Sequence, residues 1–293
     1  VLRSTMSSRR EVSSLAAMAK KRDTDDFQRI RQSDPVRGWD DDEPDPEAST
    51  YAFAEHGPDP VPAWVITSDA ARQYELGELK SGKEATVHLI ERRLGDATNV
   101  LAAKRYLKFE DRMFRNDARY RAGRRTGESR LDRAIARGNR AGMAFRAQQW
   151  LDTEFDALCR LWVAGAPVPY PVQKLGNELL LELIGSPEQA APRLVHAKPS
   201  AELSEHLWHQ LLDALRVMIG IGLVHGDLSP YNTLVDGDRL VIIDFPQAVD
   251  PIANPEGLEL LQRDVTTMGR WFEKRGVACD PSEVMADLVG LLF

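Results

Sequence analysis

Apolar and polar positions follow two regimes along this chain. Residues 73–80 and 85–92 alternate with the two-residue period of strands, and Ser81-Gly82-Lys83 between them predicts a hairpin turn. Residues 99–107 are short and apolar and predict a third strand. The period then lengthens. Phe145, Trp150, Phe155, Leu158 and Trp162 recur at helical spacing, predicting a helix over 143–163 that Gly165-Ala166-Pro167 ends. The aromatic spacing in this helix reads as core packing.

Residues 179–185 predict a buried strand running into a bend, and 203–222 an amphipathic helix. Residues 224–244 predict a loop, a strand, an Asp236-Gly237 turn and a second strand, and two helices at 257–274 and 281–292 follow. Strands first and helices afterwards predict an α+β fold in two lobes. The expected divisions are an acidic, largely disordered tail over 1–63, an N-terminal lobe over 64–184 and a reduced C-terminal lobe over 185–293. Within the first lobe, an arginine-rich insertion occupies roughly residues 108–142.

Composition sharpens this. With 293 residues, 43% of them hydrophobic, the chain can bury one large core or two small ones. Asp23, Asp25, Asp26, Asp40, Asp41, Asp42, Glu43, Asp45 and Glu47 make the tail too polar to offset its ordering entropy. A formal net charge of -7 argues against wholesale nucleic-acid binding. Yet ten arginines lie between Arg112 and Arg140, with Phe114 and Tyr120 among them, a local basic stripe suited to RNA phosphates and bases. Cys159 and Cys279 form no C-x-x-C pair, and His196, His206 and His209 show no metal spacing. No apolar run approaches the roughly 20 residues needed to cross a bilayer, and no secretory signal is evident. A cytoplasmic protein without membrane contact is expected.

Chemistry concentrates in His225-Gly226-Asp227-Leu228-Ser229-Pro230-Tyr231-Asn232, followed by Ile242-Ile243-Asp244. A hairpin can gather Asp227, Asn232 and Asp244 around one point. Phosphoryl transfer needs such a set: one carboxylate to orient a hydroxyl, and an amide with a second carboxylate to hold Mg²⁺ on phosphates. Taken singly, each residue reads as a turn former. Upstream, the small residues from Gly77 to Glu84 would let backbone N–H groups approach phosphate oxygens. Lys104 ends the apolar run Val100-Leu101-Ala102-Ala103, and Glu154, the only glutamate in its helix, is its expected partner.

Together these motifs resemble the RIO family of atypical protein kinases, in particular its Rio-one branch, over residues 64–293. They are Ser81-Gly82-Lys83-Glu84-Ala85, Leu101-Ala102-Ala103-Lys104, the helix bearing Glu154, the segment His225 to Asn232, and Ile242-Ile243-Asp244 with Gln247-Ala248-Val249. The resemblance implies a bilobal kinase fold without activation loop or peptide-docking subdomains. It also implies ATP, a divalent metal (Mg²⁺ or Mn²⁺), and serine phosphorylation, self-phosphorylation or ATP hydrolysis. By position it implies Asp227 as catalytic base, Asn232 and Asp244 as metal ligands, and Lys104 as phosphate-binding lysine. Ser81 and Lys83 match the phosphate loop, and Glu182 and Ile184 match the inter-lobe hinge that would meet adenine, with Leu181 behind it. Asp244 would also accept phosphate transiently.

The sequence departs from the family in the length and arginine content of its insertion, in Pro246, and in its acidic tail. Two other readings stay open. One is a small-molecule kinase of the aminoglycoside or choline type, which shares H-G-D-x-x-x-x-N. The other is a nucleotide-gated module whose ATP turnover serves ribosome assembly.

Overall fold

The computed structural model describes residues 47–82, 84–106, 140–187 and 189–292. These lie in one compact unit, Pro46–Phe293; the other unit, Val1–Asp45, lies outside the described residues. Seven strands build one antiparallel sheet: β1 (Glu47–Ala48), β2 (Glu55–His56), β3 (Arg72–Ser81), β4 (Ala85–Leu94), β5 (Ala97–Tyr106), β6 (Pro171–Leu175) and β7 (Glu178–Glu182). Their spatial order is β1-β3-β4-β5-β7-β6-β2. The three strands expected between residues 73 and 107 are therefore present, each within two residues of its expected ends.

Helix α1 (Arg140–Val163) connects β5 to β6 in sequence. Its end shows why Gly165 follows: the N–H groups of Gly165 and Ala166 reach back to Trp162 and Leu161, with Gly165 at φ 78°. That left-handed turn costs glycine little. Beyond the sheet come α2 (Ala201–Gly220), the hairpin β10 (Thr233–Asp236) and β11 (Arg239–Ile242), α3 (Gly257–Glu273) and α4 (Pro281–Gly290). A short ribbon, β8 (Gly185–Ser186) with β9 (Gln189–Ala190), lies between β7 and α2.

Helical spacing sets the cores. Leu207, Trp208, Leu211, Leu215 and Met218 of α2 pack with Leu261, Val265, Met268 and Phe272 of α3 and with Phe155, Leu158 and Leu161 of α1. A second core, with Ile90, Leu101, Ala103, Val172 and Leu180, lies against the sheet. Strands first and helices after give the expected two-part α+β, kinase-like architecture. Only residues 251–256 separate Asp250 from α3, which leaves no length for an activation loop.

The tail expected over 1–63 needs correction. Residues 47–63 belong to the folded unit: β1 pairs with β3, and β2 with β6. Tyr51, on a 3-10 turn between them, is buried. The physical reason is Arg92, fully buried without a carboxylate. Its guanidinium donates to Gln73 Oε1 (2.6 and 3.1 Å), Gln173 Oε1 (2.8 Å) and the Ile66 carbonyl (2.9 Å). Gln173 in turn donates to Thr50 Oγ1 at 2.8 Å. Neutral acceptors satisfy the buried cation, and the segment that completes this network is thereby fixed. The expected insertion lies mostly outside the described residues, and α1 already begins at Arg140.

Candidate active site

Lys104 sits near the end of β5, in register with Leu179 of β7, and its ammonium reaches both oxygens of Glu154 at 2.7 Å. The same ammonium donates to Asp244 Oδ1 at 2.7 Å. Burial works against the Lys104 charge, but Asp244 and Glu154 outweigh it and hold its pKa well above the usual value. Glu154 is itself buried and saturated: it also accepts from the Tyr106 hydroxyl and from the Phe245 N–H (3.2 Å). One carboxylate thus joins β5, α1 and the segment after β11.

The segment from His225 to Asn232 is irregular backbone held from three sides. His225 is buried; its Nδ1 lies 3.2 Å from the Asp227 N–H and its Nε2 lies 3.1 Å from the Ile243 carbonyl. Those partners assign the neutral ring with the proton on Nε2, and burial pushes its pKa down to about 4. Gly226 has φ 80°, and a Cβ there would lie 2.7 Å from the Gln247 carbonyl oxygen. No side chain fits, which is why glycine precedes the aspartate. Beneath the loop, buried Asp264 of α3 accepts from the N–H groups of Gly226 (2.8 Å) and Leu228 (2.9 Å). Burial raises the Asp264 pKa to about 7 against those two donors. Arg263 donates to the Gly226 carbonyl.

Asn232 donates Nδ2 to the Asp227 carbonyl at 2.9 Å, and the same atom lies 3.4 Å from Asp227 Oδ2. The Ile243 N–H donates to the Asn232 carbonyl at 3.0 Å, and Thr233 pairs with Ile242, so the β10–β11 hairpin carries Asp244 back to Asn232. Asp227 is exposed, yet burial of its surroundings raises its pKa, and the Asp244 charge adds to that rise. Asp244 adopts φ 75°, the one positive φ outside glycine among the described residues. Burial opposes its ionisation, but Lys104 keeps its pKa low.

The oxygen set fits a hard divalent cation. The Asn232 amide spends its nitrogen on Asp227, leaving Oδ1, and Asp244 spends Oδ1 on Lys104, leaving Oδ2. Two protein oxygens plus substrate phosphates is the usual manner of holding Mg²⁺. Among the described residues no group of three or more His, Cys, Asp or Glu side chains could hold a metal unaided.

The remaining expected positions spread along the sheet. Ser81 is the exposed last residue of β3, and Lys83 lies outside the described residues. Gly82 closes the hairpin through its N–H to Ala85 (3.0 Å) and leaves 2.9 Å for a Cβ, so the turn itself accounts for that glycine. Glu182 ends β7; its N–H donates to the Tyr170 carbonyl (2.9 Å) and its Oε2 accepts from the Tyr170 N–H (3.0 Å). The Ile184 carbonyl accepts from Ala191, and among the described residues no hydrogen bond engages its N–H.

The sequence reading missed two residues that hold this site, Tyr106 and Asp264. Asp264 was legible, because a carboxylate flanked by Leu261, Val265 and Met268 on the apolar stripe of a helix needs buried donors. Tyr106 was not, since a terminal tyrosine on a strand is ordinary.

The described residues contain no helix long and apolar enough to cross a membrane. A profile of the RIO domain matches residues 94–284. The chain is 32% identical to the RIO-type serine/threonine-protein kinase Rio1 of Haloferax volcanii over 214 residues, covering 73% of this chain and 68% of that protein. It is 32% identical to the serine/threonine-protein kinase RIO1 of Saccharomyces cerevisiae, covering 48% of this chain but 30% of the yeast protein. Among solved structures it resembles the Rio2 kinase of Chaetomium thermophilum in an ADP/Mg²⁺-phosphoaspartate complex. That match has TM-score 0.55 and 18% identity, over 74% of this chain and 62% of that one, and bears on the fold. With the motif order, the hairpin and the lysine–glutamate pair all matching the resemblance read from the sequence, this chain belongs to the RIO domain family.

Proposed function

We propose that the chain is an ATP- and Mg²⁺-dependent serine/threonine protein kinase that phosphorylates protein hydroxyls, its own included, and also hydrolyses ATP. The observation that carries this reading is the convergence of Asp227, Asn232 and Asp244 beside a buried lysine held by Glu154. Asp227, exposed and with a raised pKa, orients the attacking hydroxyl and draws off its proton. Lys104 offers positive charge to the phosphate chain, and Glu154 fixes where that charge stands. Asn232 Oδ1 and Asp244 Oδ2 would hold Mg²⁺ or Mn²⁺, which when bound neutralises charge on the phosphates. Ser81 and Lys83 belong by sequence to the phosphate loop, and the backbone of Glu182 and Ile184 would meet the adenine edge. Asp244, placed beside Lys104, also serves as a transient phosphate acceptor. In this reading residues 64–184, with 47–63 completing their sheet, form the nucleotide-binding lobe and 185–293 the reduced catalytic lobe. We place the enzyme in the cytoplasm and assign RNA contact in ribosome assembly to the arginine-rich insertion.

The short passage from Asp250 to α3 favours a second role, in which ATP turnover drives assembly rather than signalling. Incubation with Mg²⁺ and γ-labelled ATP tests both. Wild type should label itself on serine, with a second label that hydroxylamine removes, and Asp227→Ala should transfer at least about 100-fold more slowly. A wild-type protein that neither takes label nor releases phosphate would overturn the reading.

A further inference from the structure

Strand β3 does not alternate regularly. Glu78 faces His88 on β4, but the next pair is Lys80 with Val87, so two steps on β3 match one on β4. Leu79 is the extra residue of a bulge. Without it, Leu79 would stand opposite Val87 and Lys80 would point to the other face. With it, Lys80, Val87 and Lys104 form one cross-strand row, because Val87 is in turn paired with Lys104. Residues directly opposite share a face. The bulge therefore turns Lys80 to the face where Lys104 meets Glu154 and Asp244. Two strand spacings separate the lysines, about 10 Å.

A second cation approaches from the catalytic side. Residues 192–195 lie along β10: Leu194 donates to the Thr233 carbonyl (2.8 Å), Val195 to the Pro230 carbonyl (3.0 Å), and Val235 to the Pro192 carbonyl (2.9 Å). Arg193 is thereby bridged to Leu234, two residues beyond Asn232. Its half-buried guanidinium feels the charge of Asp244, as exposed Lys80 does, and desolvation of the Lys80 ammonium together with repulsion from Arg193 depresses its pKa to about 8. Among the described residues neither Lys80 nor Arg193 has an ion pair or side-chain hydrogen bond. Two like charges brought together without a carboxylate of their own are stable beside an anion that arrives from outside.

We propose that Lys80 and Arg193 form a two-sided cationic clamp on the terminal phosphate of the bound nucleotide, making the site select a nucleoside triphosphate over a diphosphate. This rests on the nucleotide-binding reading above and adds two residues that the family motifs do not supply. Lys104, committed to Glu154, serves the inner phosphates, while the clamp straddles Asp244 where the transferred group must lie.

Calorimetric titration with Mg²⁺ and either ADP or a β,γ-imido ATP analogue separates the two claims. Lys80→Met and Arg193→Met should each weaken the triphosphate by about tenfold, the loss of one charge-assisted contact, while leaving ADP within about threefold. Lys80→Arg and Arg193→Lys should restore the triphosphate-to-diphosphate ratio, which a merely structural defect would not move. If wild type binds neither nucleotide, the functional reading fails. If wild type binds both and the double Met variant keeps the wild-type ratio, the clamp alone fails.

Discussion

Glu154 satisfies a lysine, a tyrosine hydroxyl and a backbone N–H at once, and its position in the sequence as the lone glutamate of its helix made its partner legible. His225 was legible as part of a motif but not in its protonation. Its folded pKa, about 4, lies below the unfolded value near 6.5, so the contribution is whole above pH 6.5 and is lost as pH falls toward 4. The shift corresponds to about 3 kcal/mol. Asp264 acts in the opposite sense in this window, because its folded pKa is raised to about 7 and its fold-favoured protonated form gains as pH falls. The His225 contribution is therefore read as a difference. The stability gap between wild type and His225→Gln, from urea unfolding, should shrink by about 3 kcal/mol between pH 7.5 and 4.5. A gap independent of pH would show that the ring is not held neutral.

The loop, hairpin and helix α3 act as one unit. Gly226 can turn only because it lacks a Cβ, and the turn presents two N–H groups that Asp264 receives from below. Asp264→Asn keeps the shape but sets an amide N–H₂ against one of those donors. The expected cost is about 2–3 kcal/mol, with kcat falling far more than KM because Asp227 sits between the two anchored residues. Urea unfolding with label-transfer kinetics measures both, and an unchanged kcat would mean that the anchor does not position Asp227. The elements themselves were legible: strand alternation for β3 and β4, a short apolar run for β5, and helical spacing for α1 and α2. The bulge at Leu79 was not, because a strand's own sequence does not reveal how its neighbour is registered.

At the scale of the molecule, charge is segregated. An acidic chain carries ten arginines between Arg112 and Arg140, and counterion release makes any RNA contact there salt-dependent. Filter binding to ribosomal RNA should weaken steeply with salt. Replacing Arg119, Arg121, Arg124 and Arg125 with Gln should lower low-salt affinity by about tenfold or more. Full binding by that variant, or none by wild type at low salt, would discard RNA as the partner. The whole fold also corrects the first reading of residues 47–63. They look like tail because they are polar and proline-bearing, yet they complete the surroundings of buried Arg92 on a strand encountered later in the chain. Periodicity and motif spacing are local, so the sequence alone determined the α+β order, the β10–β11 hairpin and the partner of Lys104. Burial and strand register are set by distant segments, and for that reason only the tertiary structure decided where Arg92, Lys80 and Arg193 stand.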